Sequence, residues 1–346
     1  MADEGLSWRK LRRAAGALAL LFAPAYVAAA FDPACLPWAA AHYRAEKLFL
    51  EVDLELRGNV VSALAPDALR PTLERPGLVP KSESLVLDVR MEGPGWRSFT
   101  GQWFLQPDSG AVLQYSSLRA PSPRYRTYRF AETGAERTTA RPRDGEEALP
   151  PRRWSDVDVR QRRFTAEAPV LEISTLLYLL PASTLRAQGD HIDLLGYATS
   201  ADALFDLDAR AGADLRLAVD YALQSDGSST TRRRIIDALP VVLTGRPRST
   251  DPDEQTFDLL GLRDVRCLID PDYRVVAALR AQVPGAGQVQ FQLVALELRA
   301  GRRVARLARR LRPPRVSVRC DRSSRAATTG SSSASARPVP AKASAA

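Results

Sequence analysis

Two histidines, three cysteines and a few close-set acids are the residues of this 346-residue chain whose types invite chemistry. His191 stands in Gly189-Asp190-His191-Ile192-Asp193, beside two carboxylates. A His–Asp pair can relay a proton, and the same setting suits a histidine at the turn into a strand. His42 has no such neighbours. Asp206-Leu207-Asp208 and Asp251-Pro252-Asp253-Glu254 place acids at alternate positions, as calcium ligands can be placed. Neither run has the sixth-position Gly or the later Glu of a helix-loop-helix calcium site, so a solvated strand face and an acidic turn account for them. Paired carboxylates for sugar cleavage would have to come from different strands. The sequence holds no Gly-x-Ser-x-Gly elbow, phosphate loop, dinucleotide fingerprint or zinc-spaced His/Cys cluster. No catalytic residue, metal or cofactor is therefore assigned. Cys35, Cys267 and Cys320 lie too far apart for a metal-ligand motif. In an oxidising compartment any two of them could pair and leave one thiol over, and three reduced thiols fit equally.

The charge is concentrated. Residues 299–325 hold eleven Arg and one acid, a surplus of +10; the first thirty and last twenty-one residues add +2 each, so residues 31–298 carry −5 within a whole-chain +9. That distribution argues against a nucleic-acid partner for the body. Within the body, Arg124, Tyr125, Arg126, Tyr128 and Arg129 interleave on what reads as a solvated strand face, a pattern that could touch a polyanion. The basic segment 301–322 is the sharpest local signal. On a helix, Val304, Leu307, Ala308 and Leu311 form one apolar stripe, and Arg302, Arg303, Arg306, Arg309 and Arg310 cover much of the rest. Arg302, Arg303, Arg306, Leu307, Arg309, Arg310 and Leu311 are thus candidates for contact with an anionic membrane surface. The same segment could instead pack on the acidic body with its Arg stems. Residues 323–346 are Ser/Ala/Thr-rich and read as a disordered tail.

At the other end, Trp8-Arg9-Lys10-Leu11-Arg12-Arg13 leads into an apolar run from Ala14 to Ala30 that ends in small residues. This is the layout of an export signal over residues 1–30, cut after Ala30, and it places the protein in the periplasm. An uncleaved anchor helix is the alternative. Lipidation at Cys35 is disfavoured, because Asp32 occupies the position where a lipoprotein signal needs an apolar residue.

The elements between these ends read mainly as strands. Leu48, Leu50, Val52, Leu54 and Leu56 alternate with Glu51, Asp53, Glu55 and Arg57, a half-buried strand in period two. A Pro/Gly-rich insertion follows over residues 66–80. Further strands are expected at 85–91, 96–106, 111–118 and 124–131, completing an N-terminal β half over 31–131. Residues 132–163 are polar and Pro-rich and read as a linker loop with at most a short strand near Val157. A C-terminal β half spans 164–300. It opens with a helix over Leu171–Leu180, ended by Pro181, and continues with strands at 191–197, 203–209, 215–225, 233–239, 255–262, 265–269, 275–283 and 288–298. Short strands joined by tight turns such as Asp226-Gly227 predict a curved antiparallel sheet, a partial barrel or a sandwich, with the one short helix plugging or flanking it.

Leu176-Leu177-Tyr178-Leu179-Leu180, the turn Gly189-Asp190, Gly110 to Tyr115, and the ending Ile269-Asp270-Pro271-Asp272-Tyr273-Arg274 resemble the bacterial envelope family called domain of unknown function 3108, over roughly residues 43–300. The resemblance implies export and a β-rich fold and carries no established activity or site. The expectation is an exported envelope protein that binds a lipid or another envelope component, an unidentified protein partner included, in the concave face of its sheet. The alternative is a periplasmic hydrolase of cell-wall sugar or ester that uses paired carboxylates or His191.

Overall fold

The computed structural model describes residues 31–300 apart from 48–49, 66, 73, 94–97, 249–261 and 284–286. The export signal (1–30), the acidic run 251–254, the basic segment (301–322) with Cys320, and the tail (323–346) lie outside the described residues.

The fold is mainly β, with one short helix among the described residues. Eight strands run in chain order as a meander: β1 (Trp38–Lys47), β2 (Leu50–Val61), β3 (Ser84–Glu92), β4 (Phe99–Leu105), β5 (Val112–Arg119), β6 (Arg124–Ala131), β7 (Gly134–Arg141) and β8 (Asp156–Arg163). Each pairs antiparallel with the next. A short β9 (Val170–Glu172) leads into the helix α1 (Leu176–Ala182). The second set is β10 (His191–Ala198), β11 (Ala203–Ala211), β12 (Leu215–Ser225), β13 (Ser228–Pro247), β14 (Arg263–Asp270), β15 (Val275–Val283) and β16 (Gly287–Leu298).

Strand β1 pairs with β16 and so fuses both sets into one sheet, which ends in β8 on one side and β9 on the other. The second set also closes on itself. β12 pairs with β13, β13 with β14, β14 with β15, β15 with β16, and residues 295–297 of β16 pair back onto residues 222–224 of β12. The ring leaves no bare edge along that stretch, which removes a template for unwanted pairing.

Several expectations need correction. Residues 132–163 are not a linker loop: they carry β7 and β8, which extend the first meander. Their Thr, Arg and Glu side chains hide the alternation, because the outer face of this sheet is polar. The strand expected from Leu48 onward corresponds to β2, and a further strand, β1, precedes it. β1 was missed because Trp38-Ala39-Ala40-Ala41 has no polar alternation; Ala40 and Ala41 are both fully buried, one on each face. The helix expected over Leu171–Leu180 starts later and ends later. Leu171 pairs with Gly196 of β10 in a parallel ladder, and Pro181 lies inside the last helical turn.

Helix α1 is buried throughout, including Leu176, Tyr178, Leu179 and Leu180. Tyr178 meets Trp38 edge-on, with ring centroids 5.0 Å apart. Its hydroxyl accepts from Arg299, which also donates to the Gly58 carbonyl. The C-terminal carbonyls of the helix are gathered by Arg274: Nε donates to Pro181 at 2.9 Å, Nη1 to Leu185 at 2.9 Å and Nη2 to Ser183 at 3.3 Å. A cation there complements the negative end of the helix dipole. Burial, and then the guanidinium of Arg186, lower the Arg274 pKa to about 9. Trp38 donates in turn to the Arg274 carbonyl at 2.9 Å.

Gly58 is required where β2 passes the helix, because an added Cβ would lie 2.2 Å from the Tyr178 ring. Gly58→Ala should cost about 1–3 kcal/mol through overpacking, read as a lower urea midpoint at unchanged slope. An unchanged midpoint would show that Tyr178 does not seat against β2.

Candidate functional site: an arginine-lined end of the inner sheet face

The inner face of β4–β7 changes character along its strands. At its centre, Trp103, Tyr115 and Tyr128 occupy opposed positions on three neighbouring strands. Their rings stack with centroids 4.7 Å and 5.9 Å apart. The row packs on β9 and β10: Tyr197 meets Tyr128 and Phe130 edge-on, and the Tyr128 hydroxyl donates to the Thr199 carbonyl at 2.9 Å.

Beneath this row lies Glu172, 1% exposed. Its carboxylate accepts from Trp103 Nε1 at 2.8 Å, the Ser174 backbone N–H at 3.0 Å, the Ser174 hydroxyl at 3.3 Å and the Thr199 hydroxyl at 3.1 Å. Burial dominates those four donors and pushes its pKa up to about 7. The bond to Trp103 ties β9 to the far meander. Next to it, Asp202 accepts from the Tyr197 hydroxyl and pairs with Arg137 of β7 at 3.3 Å.

Toward one end of the same face the aromatic side chains give way to arginines. Alternation from Tyr128 places Arg126 and then Arg124 on this face; alternation from Tyr115 places Ser117 and Arg119; alternation from Arg137 places Thr139 and Arg141. Arg119 and Arg124 are directly opposed partners on β5 and β6, and Phe99 of β4 is opposite Arg119. The Arg119 guanidinium sits 5.9 Å from the Phe99 ring centroid. Burial, then Arg126, Arg119 and Arg141, hold the Arg124 pKa below its ordinary value. Burial lowers Arg126 as well, and its Nε is buried without a hydrogen-bond partner, as is that of Arg137. Arg119, Arg124 and Arg126 form no ion pair among the described residues. The nearest relief is Asp156, 3.8 Å from Arg141 on an exposed edge. Like charges set opposite each other in a sheet are destabilising. A bound anion would offset that cost with charge-assisted hydrogen bonds, roughly twice as strong as neutral ones.

The interleaved Arg and Tyr residues of β6 are therefore sorted by face. Arg124, Arg126 and Tyr128 look inward. Tyr125, Thr127 and Arg129 look outward, where the Pro-rich insertion and the loop after β7 cover part of the sheet. Arg129 is 5% exposed and donates to the carbonyls of Arg70 at 3.1 Å and Leu113 at 2.7 Å. It floors a cleft of about 1100 Å³ formed mainly by residues of the insertion. A smaller outer pocket of about 380 Å³ has Glu55 and Asp88 among its lining residues. Those acids are engaged with Arg57 at 3.3 Å and Gln102 at 2.9 Å.

The other candidates do not converge. His191 is exposed at the start of β10, opposite Arg210 of β11. Asp190 accepts from the backbone N–H groups of Arg186 and Ala187, so its carboxylate holds the turn. Asp206 pairs with Arg248 at 2.7 Å and Asp208 with Arg210 at 2.6 Å. No group of three or more His, Cys, Asp or Glu side chains able to hold a metal occurs among the described residues. Cys267 is a free thiol, 0% exposed, and burial pushes its pKa up to about 12. Of the three disulfide candidates it is thus unpaired, while Cys35 is disulfide-bonded.

The sequence reading missed Glu172 because it fell inside the expected helix. Its signal was an acid two residues before Ser174 at a helix start, a capping arrangement. Arg119 was missed because it lies one residue beyond the strand expected at 111–118, and Arg141 because residues 132–163 were expected to form a loop. No family model, curated protein or solved structure matches the chain.

The raised Glu172 pKa sets a pH dependence. The folded chain holds this proton more tightly than the unfolded chain, so stability from this group is present below about pH 4.5 and is lost as pH rises through about 7. The loss should be about 3 kcal/mol. Glu172→Gln should flatten that part of the curve when urea midpoints are measured across the range. A variant as pH-dependent as the parent would assign the titration elsewhere.

Proposed function

We propose that the chain is an exported envelope protein that binds an anionic envelope lipid and carries out no catalysis. The headgroup is held by Arg119, Arg124, Arg126 and Arg141, and the adjoining apolar part of the lipid lies toward Phe99 at the end of the inner sheet face. The observation that carries this reading is the side-by-side placement of arginines on β5, β6 and β7 with no carboxylate facing Arg119, Arg124 or Arg126. It is an anion-binding arrangement at the border of a hydrophobic core.

Two features of the sequence support it. The export-like first thirty residues bring the chain to a compartment bounded by anionic lipid. The basic amphipathic pattern from Arg302 to Leu311 supplies a second contact with such a surface. The centre of the concave face is filled by the protein's own aromatic row and by α1, so the lipid is read at the end of that face.

Vesicle co-sedimentation tests the reading. The full chain should bind vesicles containing phosphatidylglycerol and not vesicles of phosphatidylcholine alone. The double variant Arg124→Glu/Arg126→Glu should lose at least about tenfold in affinity, since each basic residue near such a surface contributes on the order of 1 kcal/mol. Equal binding by parent and variant, with both folded by circular dichroism, would remove these arginines from the site.

A further inference from the structure

The free edge of the sheet is built to meet itself. β8 reads Asp156-Val157-Asp158-Val159-Arg160-Gln161-Arg162-Arg163 and has one hydrogen-bonded neighbour, β7, among the described residues. Nearly every residue along it is exposed, and Val157 and Val159 are 46% and 38% exposed. A strand of this length with a bare edge is a template for strand addition. Edges are commonly guarded by charge, but a guard of one sign repels any second copy. Here the acids lie at one end and the arginines at the other.

We propose that β8 pairs antiparallel with β8 of a second copy of this chain, centred on Val159, so that one sheet continues through a two-fold dimer. A two-fold axis normal to the sheet keeps residues of the same number on the same face, which limits the possible alignments to those centred on a residue. Centring on Val159 sets Asp158 opposite Arg160 and Asp156 opposite Arg162, each twice. On the other face Val159 meets its own counterpart and Val157 meets Gln161. Centring one residue either way puts Asp158 against Asp158 or Arg160 against Arg160 on the axis. A parallel in-register pairing sets every charge against its like. One alignment is thus favoured by opposite-charge pairs on one face and by exposed valines on the other. In the single chain Arg160 satisfies Asp158 along the strand at 2.9 Å, with both side chains largely exposed, and pairing would knit two such pairs into a four-charge cluster.

The contact is small and of the transient class, so the dimer forms at high protein concentration. Sedimentation equilibrium of the full chain over a dilution series should show reversible monomer–dimer exchange. Asp158→Arg alone and Arg160→Asp alone should each weaken the dimer about tenfold or more, by placing like charges opposite each other. The double variant D158R/R160D should restore it. Oxidation of V159C should link two chains through that position, because opposed residues bring their Cβ atoms within about 5.5 Å. A monomer at every concentration would overturn the proposal. So would a dimer indifferent to both single variants, or one that the double variant fails to rescue.

Discussion

A buried carboxylate ties the first meander to the second set of strands across the interior. Glu172 sits under the stacked rings of Trp103, Tyr115 and Tyr128 and binds the indole of Trp103 across the interior. Its remaining bonds are to Ser174 and Thr199, on the segments that leave β9 and β10. The Tyr128–Thr199 hydrogen bond and the edge-on contacts of Tyr197 with Tyr128 and Phe130 bring β10 to the same face. The aromatic row consumes the central part of the face as core. Beyond it, beside Phe99, Ser117 and Thr139, the chain places Arg119, Arg124, Arg126 and Arg141.

That placement runs against the charge of its surroundings. The body carries a net −5, and acids elsewhere are drawn into pairs with arginine, as Asp53 with Arg44 or Asp220 with Arg233. The inner face of β5–β7 does the opposite and sets Arg119 against Arg124 on neighbouring strands. That uncompensated repulsion is the observation on which the proposed anion site rests. At the free edge, by contrast, β8 balances two aspartates against its arginines, and there charge order encodes direction.

The sequence made the strands legible where one face is apolar and the other charged. The alternation Leu54, Leu56 against Asp53, Glu55, Arg57 is visible because β2 is buried on one side only, and β6, β12 and β15 lie at the residues expected. It failed in two physical situations. The start of β1 is buried on both faces at Ala40 and Ala41, and a run of small residues carries no period. In β7 the buried Thr138 and Thr139 carry hydroxyls that read as solvent-facing, and β8 is exposed along nearly its whole length. The site was half legible. The cluster Arg124-Tyr125-Arg126 stood out along β6, but its contributors from β5 and β7 are brought together only by cross-strand pairing. Two stretches far apart in sequence, the leucine-rich helix and the turn at Asp272-Tyr273-Arg274, also proved to be one structural unit, since Arg274 binds the carbonyls at the end of α1.

Native mass spectrometry of the protein purified gently from its own host tests the central claim most directly. The account predicts a bound species whose mass, on collisional release, is that of an anionic phospholipid or another anionic amphiphile. A protein that carries only neutral or zwitterionic lipid, or none at all under conditions that preserve lipid on a known binding protein, would contradict it.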